Sequence, residues 1–126
     1  MVSRWEDTTF EKHPDPPRQV YDTNDVRVYE DKDPVIEGHL QFVPKDKSER
    51  GIAEAFTEAL SYGNKLKRNG HIDGFHLGFN WGTGTGQYVE WPHVHFIPKY
   101  SPQVEATKTP GNRPADPGFY QHLKNR

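Results

Sequence analysis

The sequence predicts an α+β domain: a mostly antiparallel sheet with one main helix packed on one face. Three observations predict it. Several short segments alternate apolar and polar residues with period two, one longer segment repeats its apolar residues at helical spacing, and 126 residues suffice for a single domain spanning 1–126. The strands fall on both sides of the helix in the chain, which separates this pattern from a repeated strand-helix alternation.

Residues 1–19 are charged and carry Pro14, Pro16 and Pro17, and read as an irregular arm. Val26-Arg27-Val28-Tyr29 alternates as a strand, ended by the turn pair Asp33-Pro34. His39-Leu40-Gln41-Phe42-Val43 is a second strand closed by Pro44. Asp46 and Glu49 have the spacing of a capping box. Ile52, Phe56, Ala59, Leu60 and Leu66 then recur at helical spacing. Lys65, Lys67 and Arg68 suit the negative end of the helix dipole, and Gly70 suits the residue just past the end. Phe75-His76-Leu77-Gly78-Phe79 is a third strand, followed by the glycine-rich loop 80–86. Gln87–Trp91 and His93–Ile97 form one long strand or two around Pro92. The tail, 101–126, holds four prolines and is expected to be loosely ordered or to dock on a partner.

Composition narrows the function. Sixteen Lys+Arg against 18 Asp+Glu argue against nucleic-acid binding by bulk charge. The absence of cysteine excludes disulfides, thiolate metal sites and a cysteine nucleophile. No apolar run approaches the roughly 20 residues of a membrane span, and the first residues lack the apolar stretch of a secretory signal. A soluble cytoplasmic protein without membrane association is the expectation. Apolar residues are only 32%, so the core must lean on aromatics.

Seven histidines are present, and their placement is informative. His93 and His95 are two apart in a strand and share a face, with Val94 and Phe96 on the other. His39 and Gln41 oppose Leu40 and Phe42 in the same way, and Tyr29 and Asp31 oppose Val26 and Val28. One sheet face is therefore apolar, and the other gathers His39, His93, His95 and Asp31. Two readings follow. His93, His95 and His39 could hold zinc or iron, although Glu37 and Glu90 add no telling spacing. Alternatively, Gly82-x-Gly84-x-Gly86 can offer backbone N–H groups to an anion beside these imidazoles. That loop is neither a dinucleotide fingerprint nor a P-loop, because no helix and no Gly-Lys-Ser/Thr follows it.

From Asn80 to Pro98 the chain reads Asn-Trp-Gly-Thr-Gly-Thr-Gly-Gln-Tyr-Val-Glu-Trp-Pro-His-Val-His-Phe-Ile-Pro. This resembles the signature of the histidine triad (HIT) family: Asn-x-Gly, then Gly-Gln-x-Val, then His-φ-His-φ-His-φ-φ-Pro, with φ apolar. Tyr21-Asp22, Val26 to Pro34, Gly38-His39-Leu40 and Val43-Pro44-Lys45 resemble the family's entry strands, so the likeness spans about 20–99. Trp91 stands at the first triad histidine, Pro92 follows it, Tyr88 stands where Ser or Thr is usual, and Lys99 where Arg is common.

The resemblance implies a sheet of about five strands and a nucleotide hydrolase that works through a nucleotidyl-histidine without a metal or other cofactor. It places the nucleophile at His93, the last triad histidine at His95, and Gln87 near the scissile bond. It assigns Asn80, His39, Gly86 and Tyr88 to the phosphate, Asp31 to the ribose hydroxyls and Tyr29 to the base. It implies a nucleotide or nucleotide conjugate as ligand, an amine, phosphate or other leaving group, and a homodimer. In this family the main-chain carbonyl at the first triad position holds the nucleophile's other ring nitrogen, and Trp91 keeps that carbonyl. A nucleotide-binding module with weak or lost catalysis is the alternative, and a metal-dependent histidine site comes after it.

Overall fold

The computed structural model describes residues 3–82, 84 and 91–100 of the chain. Five antiparallel strands form one sheet: β1 (Gln19–Asp22), β2 (Val26–Glu30), β3 (Leu40–Pro44), β4 (Ile72–Phe79) and β5 (Val94–Tyr100). Their order across the sheet is β1-β2-β3-β5-β4. A short helix, α1 (Thr9–Lys12), precedes the sheet, and the main helix α2 (Glu49–Arg68) connects β3 to β4. This is the α+β architecture the sequence pattern predicts. The tail 101–126 lies outside the described residues.

Helix α2 is capped two residues later than the expected capping box. Ser48, in extended conformation, is the cap, and its hydroxyl accepts from the Gly51 N–H. Asp46 instead accepts from the Ser48 hydroxyl at 2.5 Å. The helix face against the sheet is lined by Gly51, Ala55, Ala59 and Gly63. These small residues let the backbone lie close to the strands: a Cβ on Gly63 would stand 2.4 Å from the Phe75 ring. Phe56, Tyr62 and Leu66 flank this stripe, whereas Leu60 is 49% exposed rather than core. Beneath lie Val26, Val28, Phe42, Val94 and Phe96, the apolar face read from the period-two pattern.

The opposite sheet face is also covered. The arm 1–19, expected to be irregular, carries a 3-10 turn at Trp5–Asp7 and α1, which lay Trp5 and Phe10 against the sheet. With Tyr29, Val43 and Trp91 they form a second small core. Burying two such aromatic rings contributes about 1.5–3 kcal/mol each. The Trp5 indole donates to the Tyr29 hydroxyl at 3.1 Å, and the Arg27 guanidinium lies 4.6 Å over the Trp5 ring. The Arg27–Glu11 and Lys32–Asp15 ion pairs also tie the arm to the body of the domain.

Candidate active site

The sheet register assembles the polar face. Tyr29 pairs with Gln41, Gln41 with His95, and His95 with Gly78, so one row crosses β2, β3, β5 and β4. His39 enters at the end of a tight turn in which Gly38 adopts φ +91. A side chain there would be strained and would also meet the Tyr100 hydroxyl. The turn is closed by hydrogen bonds from the His39 N–H to the Ile36 carbonyl and from the Asp31 N–H to the His39 carbonyl.

Three of the expected residues meet in a buried cluster. His39 Nε2 lies 2.9 Å from His95 Nδ1 and 3.3 Å from Asp31 Oδ2, and His95 Nδ1 lies 3.5 Å from the same oxygen. The Val35 N–H donates to His39 Nδ1 at 3.0 Å. That bond assigns the tautomer: with Nδ1 accepting, neutral His39 carries its proton on Nε2. Two N–H groups facing each other at 2.9 Å would repel, so His95 Nδ1 accepts this proton's hydrogen bond. Neutral His95 therefore carries its own proton on Nε2.

This tautomer answers the metal question. The Asp31, His39 and His95 donor atoms lie close enough to share an ion. A metal would need the lone pair of His39 Nε2, which is protonated while Val35 occupies Nδ1. A metal-bound histidine ordinarily donates its other N–H to an acceptor, and here the other nitrogen faces a donor. The cluster fits a proton-sharing network and does not fit a metal centre.

His93 sits just before β5, 5% exposed, its ring 5.1 Å from that of His95. Its Nδ1–H donates to the Trp91 carbonyl at 2.9 Å, which leaves the lone pair on Nε2. Burial, together with the neighbouring His95, pushes its pKa down to about 4, against the opposing pull of the Trp91 carbonyl. His93 is thus neutral at pH 7, as a nitrogen nucleophile must be. The Trp91 side chain turns away: its indole N–H donates to the Pro44 carbonyl at 2.7 Å, and the ring is buried in the second core.

The remaining expected residues divide. Asn80 follows directly on β4 and is half-buried. Asp31 is present but its carboxylate is fully buried, accepting from Gln41 Nε2 at 3.0 Å and the Asp33 N–H at 2.9 Å. Tyr29 is completely covered by the arm: it stacks on Phe10 and donates its hydroxyl hydrogen to Glu11. Burial and that carboxylate drive its pKa upward. Gly86, Gln87 and Tyr88 lie outside the described residues.

Sequence reasoning gave three members of the site no role. Phe10 meets the His93 ring edge-on at 5.6 Å. Gln41, noticed on the polar face, holds Asp31. His76 stands on β4 two residues before Gly78, its pKa lowered by burial and by His95. Period two in 75–79 was the signal for His76, but nothing local points to Phe10. Beside these residues a cavity of 160 Å³ is lined by Phe10, His13, Asp15, Lys32 and Gln41, among others.

No model of a known protein family matches the chain. It is 29% identical over 99 residues to an uncharacterized HIT-like protein of Methanocaldococcus jannaschii, a match covering 74% of this chain and 77% of that one. Among solved structures it is similar to a HIT family protein of Bacillus anthracis, with 27% identity, 68% and 66% coverage, and a TM-score of 0.57. A Hit-like protein involved in cell-cycle regulation from Bartonella henselae shares the fold, with a TM-score of 0.63 at 21% identity over 77% of this chain and 82% of that one.

Proposed function

Given that the chain belongs to the histidine triad family, we propose that it is a nucleotide-binding hydrolase that releases a nucleoside 5′-monophosphate from an amine or phosphate leaving group. The observation that carries this reading is the His93 Nδ1–H bond to the Trp91 carbonyl, which leaves the lone pair of a neutral imidazole on Nε2. In this scheme His93 Nε2 attacks the α-phosphorus and a P–N bond to His93 forms. The bond to the leaving amine breaks, and the amine departs with the electron pair and takes a proton from solvent. Water then attacks the phosphorus, the P–N bond to His93 breaks, and the water's proton returns to solvent. The Nε2–H of His95 donates to a phosphoryl oxygen as charge builds. Asn80 and His39 support the phosphate side, joined by Gly86, Gln87 and Tyr88. Phe10, held by Tyr29, supplies the apolar wall for the base. No step calls for a metal ion. We assign the protein to the cytoplasm and to a homodimer, with exposed Leu60 and Trp81 available to a second copy.

The test is turnover of a nucleoside 5′-phosphoramidate by metal-free protein, with His93→Ala as the control. Release of nucleoside monophosphate that the variant lacks is the expected result. One observation favours a second reading, a nucleotide-binding module. His93 is only 5% exposed, and Phe10 lies edge-on to its ring, so the nucleophile is covered. Nucleotide binding with turnover no faster than His93→Ala would decide for that reading.

A further inference from the structure

We propose that Asp31 is a positioning residue for His39 and His95, and not a ribose ligand: its carboxylate holds the His39 ring in the orientation from which Nε2–H donates to His95 Nδ1, so that His95 presents its own Nε2–H to the reaction. The inference rests on the hydrolase reading above. A carboxylate that binds ribose hydroxyls must offer them an oxygen. Both Asp31 oxygens are already engaged and the side chain has no exposed surface: Oδ1 accepts from the Asp33 N–H, and Oδ2 accepts from Gln41. Oδ2 also lies 3.3 Å from His39 Nε2, the nitrogen that carries that ring's one proton. A buried carboxylate is costly unless hydrogen bonds surround it, so these contacts define the orientation of the group.

The chain of consequences starts at the backbone. The Val35 N–H takes the Nδ1 lone pair of His39. The Nε2–H of His39 then points at the gap between His95 Nδ1 and Asp31 Oδ2. A carboxylate there can only accept, so it repels no N–H and holds His39 in this ring orientation. His95 Nδ1 is left as an acceptor, and its single proton stands on Nε2. A carboxylate that orients an imidazole in this way fixes which nitrogen carries the proton, and an amide in its place admits the wrong tautomer. In Asp31→Asn one side of the group becomes an N–H donor. That donor faces Gln41 Nε2, the Asp33 N–H or His39 Nε2–H, each of which already donates.

Two measurements test this. The first is 15N NMR of histidine-labelled protein. In the wild type, His39 and His95 are expected to be protonated at Nε2 with acceptor-type Nδ1 shifts; Asp31→Asn is expected to mix the His95 tautomers. The second compares a nucleoside 5′-phosphoramidate with its 2′,3′-dideoxy counterpart. Asp31→Asn is expected to lower kcat on the order of 10²-fold for both substrates alike. A rise in KM confined to the ribose substrate, with the dideoxy substrate unaffected, would make Asp31 a ribose ligand and overturn the proposal. So would a wild-type His95 protonated at Nδ1, a result that needs no variant and stands even if Asp31→Asn does not fold. A wild type without turnover would overturn the hydrolase reading instead, while the NMR would still decide whether Asp31 sets the tautomers.

Discussion

Burial of His93 couples the fold to pH. Its pKa falls from 6.5 to about 4. At ~1.4 kcal/mol per pH unit, protonating His93 is about 3 kcal/mol harder in the fold than in the unfolded chain. The sign follows from proton counting. Between pH 6.5 and about 4 the unfolded chain binds a proton at this ring and the fold does not. Stability is therefore lost as pH falls through that window, and His93 contributes no pH dependence above it. The assay is chemical denaturation from pH 7 to 4 for the wild type and His93→Gln, with an NMR titration of the His93 ring in the wild type. Carboxylates act equally in both proteins, so the wild type should lose about 3 kcal/mol more than the variant over this range. A ring that titrates near 6.5, or the same pH dependence in both proteins, would refute the reasoning.

Three further outcomes are expected. Phe10→Ala removes the ring that covers His93, so the His93 pKa should rise toward 6.5 in the same NMR titration. Trp91→Ala opens a void in the second core and leaves the Pro44 carbonyl without its indole donor, and should cost about 3–5 kcal/mol in denaturant unfolding. Ser48→Ala should cost about 1 kcal/mol in the same assay, because it removes the bond to the Gly51 N–H. Asp46→Ala, which leaves that bond in place, should cost less.

The local patterns were legible where geometry is local. Period two placed Val26, Val28, Phe42, Val94 and Phe96 on one face and His39, His93, His95 and Asp31 on the other, because strand side chains alternate whatever surrounds them. Helical spacing found α2 but counted Leu60, which is exposed, in its apolar stripe. The true contact runs along Gly51, Ala55, Ala59 and Gly63, and small residues give a hydrophobicity pattern little weight. Trp5 and Phe10 stayed hidden because what orders them is Tyr29, Val43 and Trp91, far along the chain. The contacts of Asp31 were hidden for a related reason. Its neighbours are set by the β2–β3–β5 register and by the turn at Gly38, and neither can be read from the residues around position 31.

Position 91 shows how a signature residue can be lost while its structural task is kept. A first-triad residue can act through two groups, its carbonyl and its side chain. The carbonyl is common to every amino acid, and here it accepts from His93 Nδ1 at 2.9 Å. The side chain is free to be spent elsewhere, and the indole is spent on Pro44 and on the core that holds the arm. The same arm sets Phe10 against His93 and, by burying it, keeps the imidazole neutral. The indole thus supports His93 through packing rather than through a titratable ring. Any loss of catalysis on replacing Trp91 should therefore travel with loss of arm packing, and not with loss of an acid or base at position 91.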